Sequence, residues 1–129
     1  MILPTTLKGK VVHGKGLGRT VGMPTANLHV EEGKLPPVGV YAARVRVKGK
    51  IYCSVTNVGL RPSVDQDQKL TVESFILDFN EDIYGEQIEV EFVKYLRGIH
   101  KFPDLEAVSK QVQKDIEEAR IILGKMHES

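Results

Sequence analysis

The sequence predicts a mainly β protein: an antiparallel barrel closed on itself, followed by one C-terminal α-helix. Three observations carry that expectation. Between residues 7 and 96, apolar and polar residues alternate with a period of two in several short segments. Glycines and other turn residues separate those segments, and many short strands so spaced suit a closed or nearly closed barrel, which leaves no exposed sheet edge. After "LRGIHKF" the apolar spacing changes to steps of three and four. At 129 residues the chain has the length of one domain, and dividing it would leave halves too small for a dependable core. The expected organisation is one domain over 1–129, with the barrel at about 7–96 and the helix at about 103–123.

Taken in order, the first strand is expected at about Leu7–His13. The glycine-rich run "GKGLGRTVGMPTANL", Gly14 to Leu28, follows, and with its continuation through "HVEEGKLPPVG" it is expected to be the longest irregular stretch. "GVYAARVRVKGKIYCSVTNVG" is the clearest hairpin: Tyr41, Ala43, Val45 and Val47 share one phase, Arg44, Arg46 and Lys48 the other, and Gly49 marks the turn. "LTVESFILDF" and "QIEVEFVKYL" read as two further strands joined by "NEDIYGE". In the helix, Leu105, Val108, Val112, Ile116, Ala119 and Leu123 form an apolar stripe that would pack on the barrel. Pro103 and Asp104 suit its first turn and Gly124 its end.

Composition narrows the function classes. Hydrophobic residues make up 41% and charged residues 27% of the chain, with no apolar run of membrane-spanning length. "MILPTTLKGK" is too short and too polar for a signal peptide, and the single Cys53 has no partner for an internal disulfide, so a cytoplasmic protein is expected. The net charge of +1 argues against nucleic-acid binding by bulk electrostatics. Its distribution is uneven: residues 1–61 hold ten Lys/Arg against two Asp/Glu, and residues 62–129 hold eight against fifteen. Either the two halves attract each other, or the basic half carries an anion site.

The glycine-rich run matches neither standard phosphate motif. No Gly, four residues, Gly-Lys-Ser/Thr pattern occurs, and Arg19 stands where the dinucleotide fingerprint requires glycine. What Gly14, Gly16, Gly18 and Gly22 do offer is unshielded backbone N–H groups, beside Lys15 and Arg19, which suit close approach to phosphate oxygens. A flexible surface loop would look the same. Pro24 biases its neighbour towards extended backbone. If Thr25 to Asn27 is extended, the Thr25 hydroxyl and the Asn27 amide oxygen point to one side, as suits Mg²⁺ held with substrate phosphates. Alternatively, both residues merely cap a turn.

Glu73 shares a phase with Thr71, Phe75, Leu77 and Phe79, which places a carboxylate on an otherwise apolar face, where it must be paired, hydrogen-bonded or used as a base. The alternative is that Leu70, Val72 and Ile76 face the core and leave Glu73 exposed. Arg97, Lys101 and Phe102 lie where strand passes to helix, and could meet a planar ligand or form a solvated linker. The four histidines lack metal-ligand spacing, and Cys53 reads as a structural thiol.

Together, "VVHGKGLGRTVGMPTANL", "PPVGVYAARV", "YCSVTNVGLRPS", "VESFILDFNEDIYGEQIEVEF", "YLRGIHKF" and "DIEEAR" resemble, in order, the ATP-dependent riboflavin kinases, free-standing or as the C-terminal module of bifunctional FAD synthetases. Ser63 stands where that family often has threonine. The resemblance implies a Greek-key barrel with a C-terminal helix, transferring the γ-phosphoryl of ATP to the 5′-hydroxyl of riboflavin to give FMN and ADP. It implies that Thr25 and Asn27 hold Mg²⁺ (or another divalent cation) and ATP phosphates, and that Glu73 takes the hydroxyl proton. The loop Gly14 to Gly22 would cover the nucleotide, ahead of Pro24. The flavin ring is expected between the barrel, the segment from Arg97 to Phe102, and the helix. A monomer without nucleic-acid or membrane partners is expected, and no adenylylation of FMN by this chain alone. Two other readings compete: a non-catalytic flavin- or nucleotide-binding module, and a barrel for single-stranded nucleic acid, which the scarcity of aromatic residues disfavours.

Overall fold

The computed structural model describes residues 6–12, 25–62, 68–79 and 81–127. Six strands, β1 (Thr6–Val12), β2 (Ala26–Glu32), β3 (Gly39–Val47), β4 (Lys50–Pro62), β5 (Gln68–Ile76) and β6 (Gln87–Arg97), precede the helix α1 (Leu105–His127). All neighbouring strands are antiparallel, in the order β1-β2-β5-β4-β3-β6, and β6 pairs with β1 to close the barrel. Strands β3, β4 and β5 follow one another as neighbours and β6 returns beside β3, which is a Greek key.

The hairpin β3–β4 shows how local sequence sets this geometry. Val47 pairs with Lys50, so the loop is Lys48-Gly49, with φ of 49° and 83°. Two successive positive φ values give the tight turn whose twist matches the strands, and glycine adopts its half without steric cost. Tyr41, Ala43, Val45 and Val47 all point into the barrel, none more than 2% exposed. They join Leu7, Leu28, Val58, Val72 and Val90 in the interior cluster. Three buried hydroxyls cross this interior: Ser54 Oγ donates to the Ala43 carbonyl oxygen at 3.2 Å and lies 3.0 Å from Thr56 Oγ1, which lies 2.8 Å from Ser74 Oγ.

A second apolar cluster lies outside the barrel, where α1 crosses β3 and β4: Val40, Ala42, Val55, Ala119 and Leu123. This docking explains why Gly39 to Ala43 is buried on both faces, whereas the far end of β3 alternates. The Ala107 N–H donates to Asp104 Oδ1 at 2.8 Å, an N-cap immediately before the helix. Away from α1 the outer face carries charge: Glu91 is flanked by Thr6 and Arg44, and Glu89 by Lys8 and Arg46. The two glutamates in the first half of β6 therefore each lie beside an arginine of β3, and Glu89 also lies beside Lys8 of β1. Among the described residues, no helix is long and apolar enough to cross a membrane.

Three boundaries differ from expectation. Ala26–Glu32 is a strand although the stretch is expected to be irregular: Ala26, Leu28 and Val30 face inward and alternate with Asn27, His29 and Glu31, a period-two pattern obscured by the glycine- and proline-rich sequence on either side. β5 stops at Ile76 instead of running on to Phe79, because Asp78 turns the chain at φ 56° and pairs with Arg120 of α1. The helix continues through Gly124 to His127, since the fully packed Leu123 anchors that turn and Gly124 does not take a positive φ.

Candidate active site

A single row of residues crosses the barrel wall. Asn27 pairs with Glu73, Glu73 with Asn57, Asn57 with Val40, and Val40 with Arg97, so β2, β5, β4, β3 and β6 each contribute one member. Leu28, Val72 and Val58, one residue away in each strand, are buried in the interior, so this row projects outward. Both alternatives for Glu73 are thus partly right: Val72 and Ile76 are core, yet Glu73 is only half-exposed, because the barrel's outer face is covered here.

What covers it is the connection from β6 to α1 and the first turns of the helix, leaving a cleft against the wall. Val40, Val55 and Phe75 from the sheet, and Val108 and Val112 from α1, make it mostly apolar. Polar groups line it as well: Thr25, Asn57, Glu73 and Arg97 from the barrel and Asp115 from the helix. Phe102 and His100 close the wall formed by the connection. The cleft therefore combines apolar walls with a few polar groups, the usual make-up of a small-molecule site.

Of the residues singled out from sequence, Thr25, Glu73, Arg97 and Phe102 line this one cleft, and Asn27 stands beside Glu73 in the cross-strand row. Gly14, Lys15, Gly16, Gly18, Arg19, Gly22 and Pro24 lie outside the described residues. Three polar lining residues, Asn57, His100 and Asp115, carry no role in the sequence reading. Asn57 stands in the "NVGLRP" run without a function; Asp115, three residues after Val112 and four before Ala119, puts a carboxylate on the apolar face of α1 beside Ile116, which is the signal that could reveal it. The Arg97 guanidinium is engaged with protein: Nε and Nη2 donate to Asp115 at 2.9 and 2.8 Å, and Nη1 donates to the Gly98 carbonyl oxygen at 3.0 Å. Its carbon lies 5.8 Å from the centre of the Phe102 ring.

The oxygen set fits a Mg²⁺ ion. Thr25 Oγ1 is buried and has no hydrogen-bond partner among the described residues, an arrangement that costs stability unless a ligand uses the oxygen. Among the described residues no group of three or more His, Cys, Asp or Glu gathers as an all-protein cage. Mg²⁺ needs none, because it keeps waters and takes further ligands from phosphates.

A family model for riboflavin kinase, also called flavokinase, matches residues 1–123. The chain belongs to the riboflavin kinase family. It is 39% identical over 126 residues to the bifunctional riboflavin kinase/FMN adenylyltransferase of Listeria monocytogenes, covering 97% of this chain and 40% of that protein. The chain thus spans about two fifths of the length of such curated relatives. Among solved structures, a macrolide-efflux protein from Streptococcus pneumoniae superposes with a TM-score of 0.84 and 36% identity, covering 91% of this chain and 38% of that one. The riboflavin kinase from Trypanosoma brucei does so with a TM-score of 0.64 and 25% identity, covering 96% and 82%. The family's closed barrel with one C-terminal helix is the architecture described above.

Proposed function

We propose that this chain transfers the γ-phosphoryl of ATP to the 5′-hydroxyl of riboflavin, releasing FMN and ADP. The observation that carries the reading is the position of Glu73, half-buried between Asn27 and Asn57 in the lining of an apolar cleft. The isoalloxazine packs against Val40, Val55, Val108 and Val112, and the ribityl chain runs out towards Glu73. Glu73 accepts the proton of the 5′-hydroxyl as its oxygen bonds to the γ-phosphorus and the bond to the departing ADP oxygen breaks.

Thr25 and Asn27 would hold Mg²⁺, which when bound neutralises charge on the phosphate oxygens. The backbone N–H groups of Gly14 to Gly22, with Lys15 and Arg19, are proposed as further phosphate donors. The apolar walls exclude water from the transfer, which favours the flavin hydroxyl over hydrolysis.

The test is to incubate the purified chain with riboflavin and ATP, with and without Mg²⁺, and to separate riboflavin, FMN and FAD by chromatography. Metal-dependent FMN is the expected product. Riboflavin bound but not converted, with any nucleotide or metal, would instead indicate a binding module.

A further inference from the structure

β6 ends at Arg97 and the chain must cross the margin of the cleft before α1 begins at Leu105. Polar and ring contacts hold that crossing in place. The two-pronged pair between Arg97 and Asp115 ties the last residue of β6 to the third turn of the helix, with side chains 19% and 4% exposed. Gln111 Nε2 donates a further bond to Asp115 Oδ1 at 3.1 Å. The same guanidinium holds the Gly98 carbonyl oxygen and carries the Phe102 ring against it.

A buried ion pair is a poor way to stabilise helix docking, since apolar residues of similar volume often do as well or better. What a two-pronged guanidinium–carboxylate pair supplies is fixed orientation. We propose that Asp115 is a positioning residue for flavin binding: by locking the Arg97 guanidinium, it sets Phe102 and the β6–α1 connection as a preformed wall opposite Val40 and Val55. On this view Arg97 acts through the wall it supports, its three guanidinium nitrogens already donating to protein oxygens. The proposal rests on the riboflavin kinase reading, because it takes the flavin ring as the occupant of the cleft.

The experiment uses the full chain with Asp115→Asn, and with Arg97→Lys as a second variant that keeps the charge but loses the fork. Riboflavin affinity is read by quenching of flavin fluorescence, nucleotide affinity by calorimetry with MgATP, and turnover by FMN formation. If Asp115 positions the wall, riboflavin affinity falls about tenfold in either variant, as expected for a coupled buried contact, while the KM for ATP and kcat at saturating riboflavin stay within about twofold. A purely structural role would loosen the whole domain, lowering riboflavin and ATP affinity together, and that result overturns the proposal. So does unchanged riboflavin affinity in whichever variant remains folded. If the unaltered chain binds riboflavin but makes no FMN, the catalytic reading falls while the affinity comparison still decides the role of Asp115. No riboflavin binding by the unaltered chain overturns both.

Discussion

Glu73 faces Asn57 directly across the β4–β5 ladder, and Asn27 occupies the corresponding place on its other side. A carboxylate between two carboxamides, on the covered face of a barrel wall, has neighbours able to orient it without carrying charge themselves. That environment suits a group that must accept a proton and release it again.

Glu73→Gln keeps the shape of this row and removes the basic oxygen. It is expected to leave ATP binding intact and to lower kcat by about a hundredfold or more. Steady-state FMN formation beside nucleotide calorimetry checks this, and near-normal turnover would remove Glu73 from the role of base.

Thr25→Val separates ligand binding from folding. The hydroxyl it removes is buried without a partner among the described residues, so the substitution is expected to leave the unfolding temperature unchanged or slightly higher. The Mg²⁺ concentration needed for half-maximal FMN formation should rise. A metal titration that superposes on that of the unaltered chain would show that Thr25 does not hold the ion.

Tyr41 tests the barrel end beside the cleft. Its hydroxyl donates to the Pro37 carbonyl oxygen at 2.6 Å, and its ring packs edge-on against Phe92 and Tyr95. Burial, with a smaller contribution from Tyr95, pushes its pKa above the usual tyrosine value. The neutral form is therefore favoured by folding: its contribution is complete below the ordinary tyrosine pKa and is lost as pH rises through the raised one. Tyr41→Phe should reduce stability by about 1 kcal/mol at neutral pH. In urea unfolding it should also flatten the alkaline loss; an equally steep loss in the variant would assign that loss to other groups.

Asp78 and Arg120 join the β5 turn to α1 through bonds of 2.8 and 3.2 Å. The Arg120 guanidinium holds the Asp78 carboxyl below its ordinary pKa, so the stabilisation is present above the usual carboxyl range and fades as pH falls through the lowered value. The pair is exposed, so its effect is expected to be small and salt-sensitive. Asp78→Asn should shift the urea midpoint slightly at low salt and neutral pH, and not at all in about 1 M salt, where screening acts within roughly 3 Å. A shift that persists in salt would point to the positive-φ turn at Asp78 as the source.

Local pattern alone determined much of this protein. The alternation of β3 from Ala43 to Val47, the Lys48-Gly49 turn and the apolar spacing from Val108 to Leu123 are visible without a fold, because each depends on neighbours within a few residues. Thr25, Asn27 and Glu73 were also legible as candidates, since small oxygen donors and a carboxylate among apolar residues stand out in any strand. The tertiary structure alone decided which side of β5 is the interior. Both of its faces carry large apolar groups, so period-two alternation could not tell the barrel's inside from the outer face that α1 and its connection cover. It alone placed Asn57 against Glu73 and Asp115 against Arg97. Those partners are 16 and 18 residues apart, and their meeting depends on strand register, barrel closure and helix docking, which are set by the packing of the whole chain and by no local window of it.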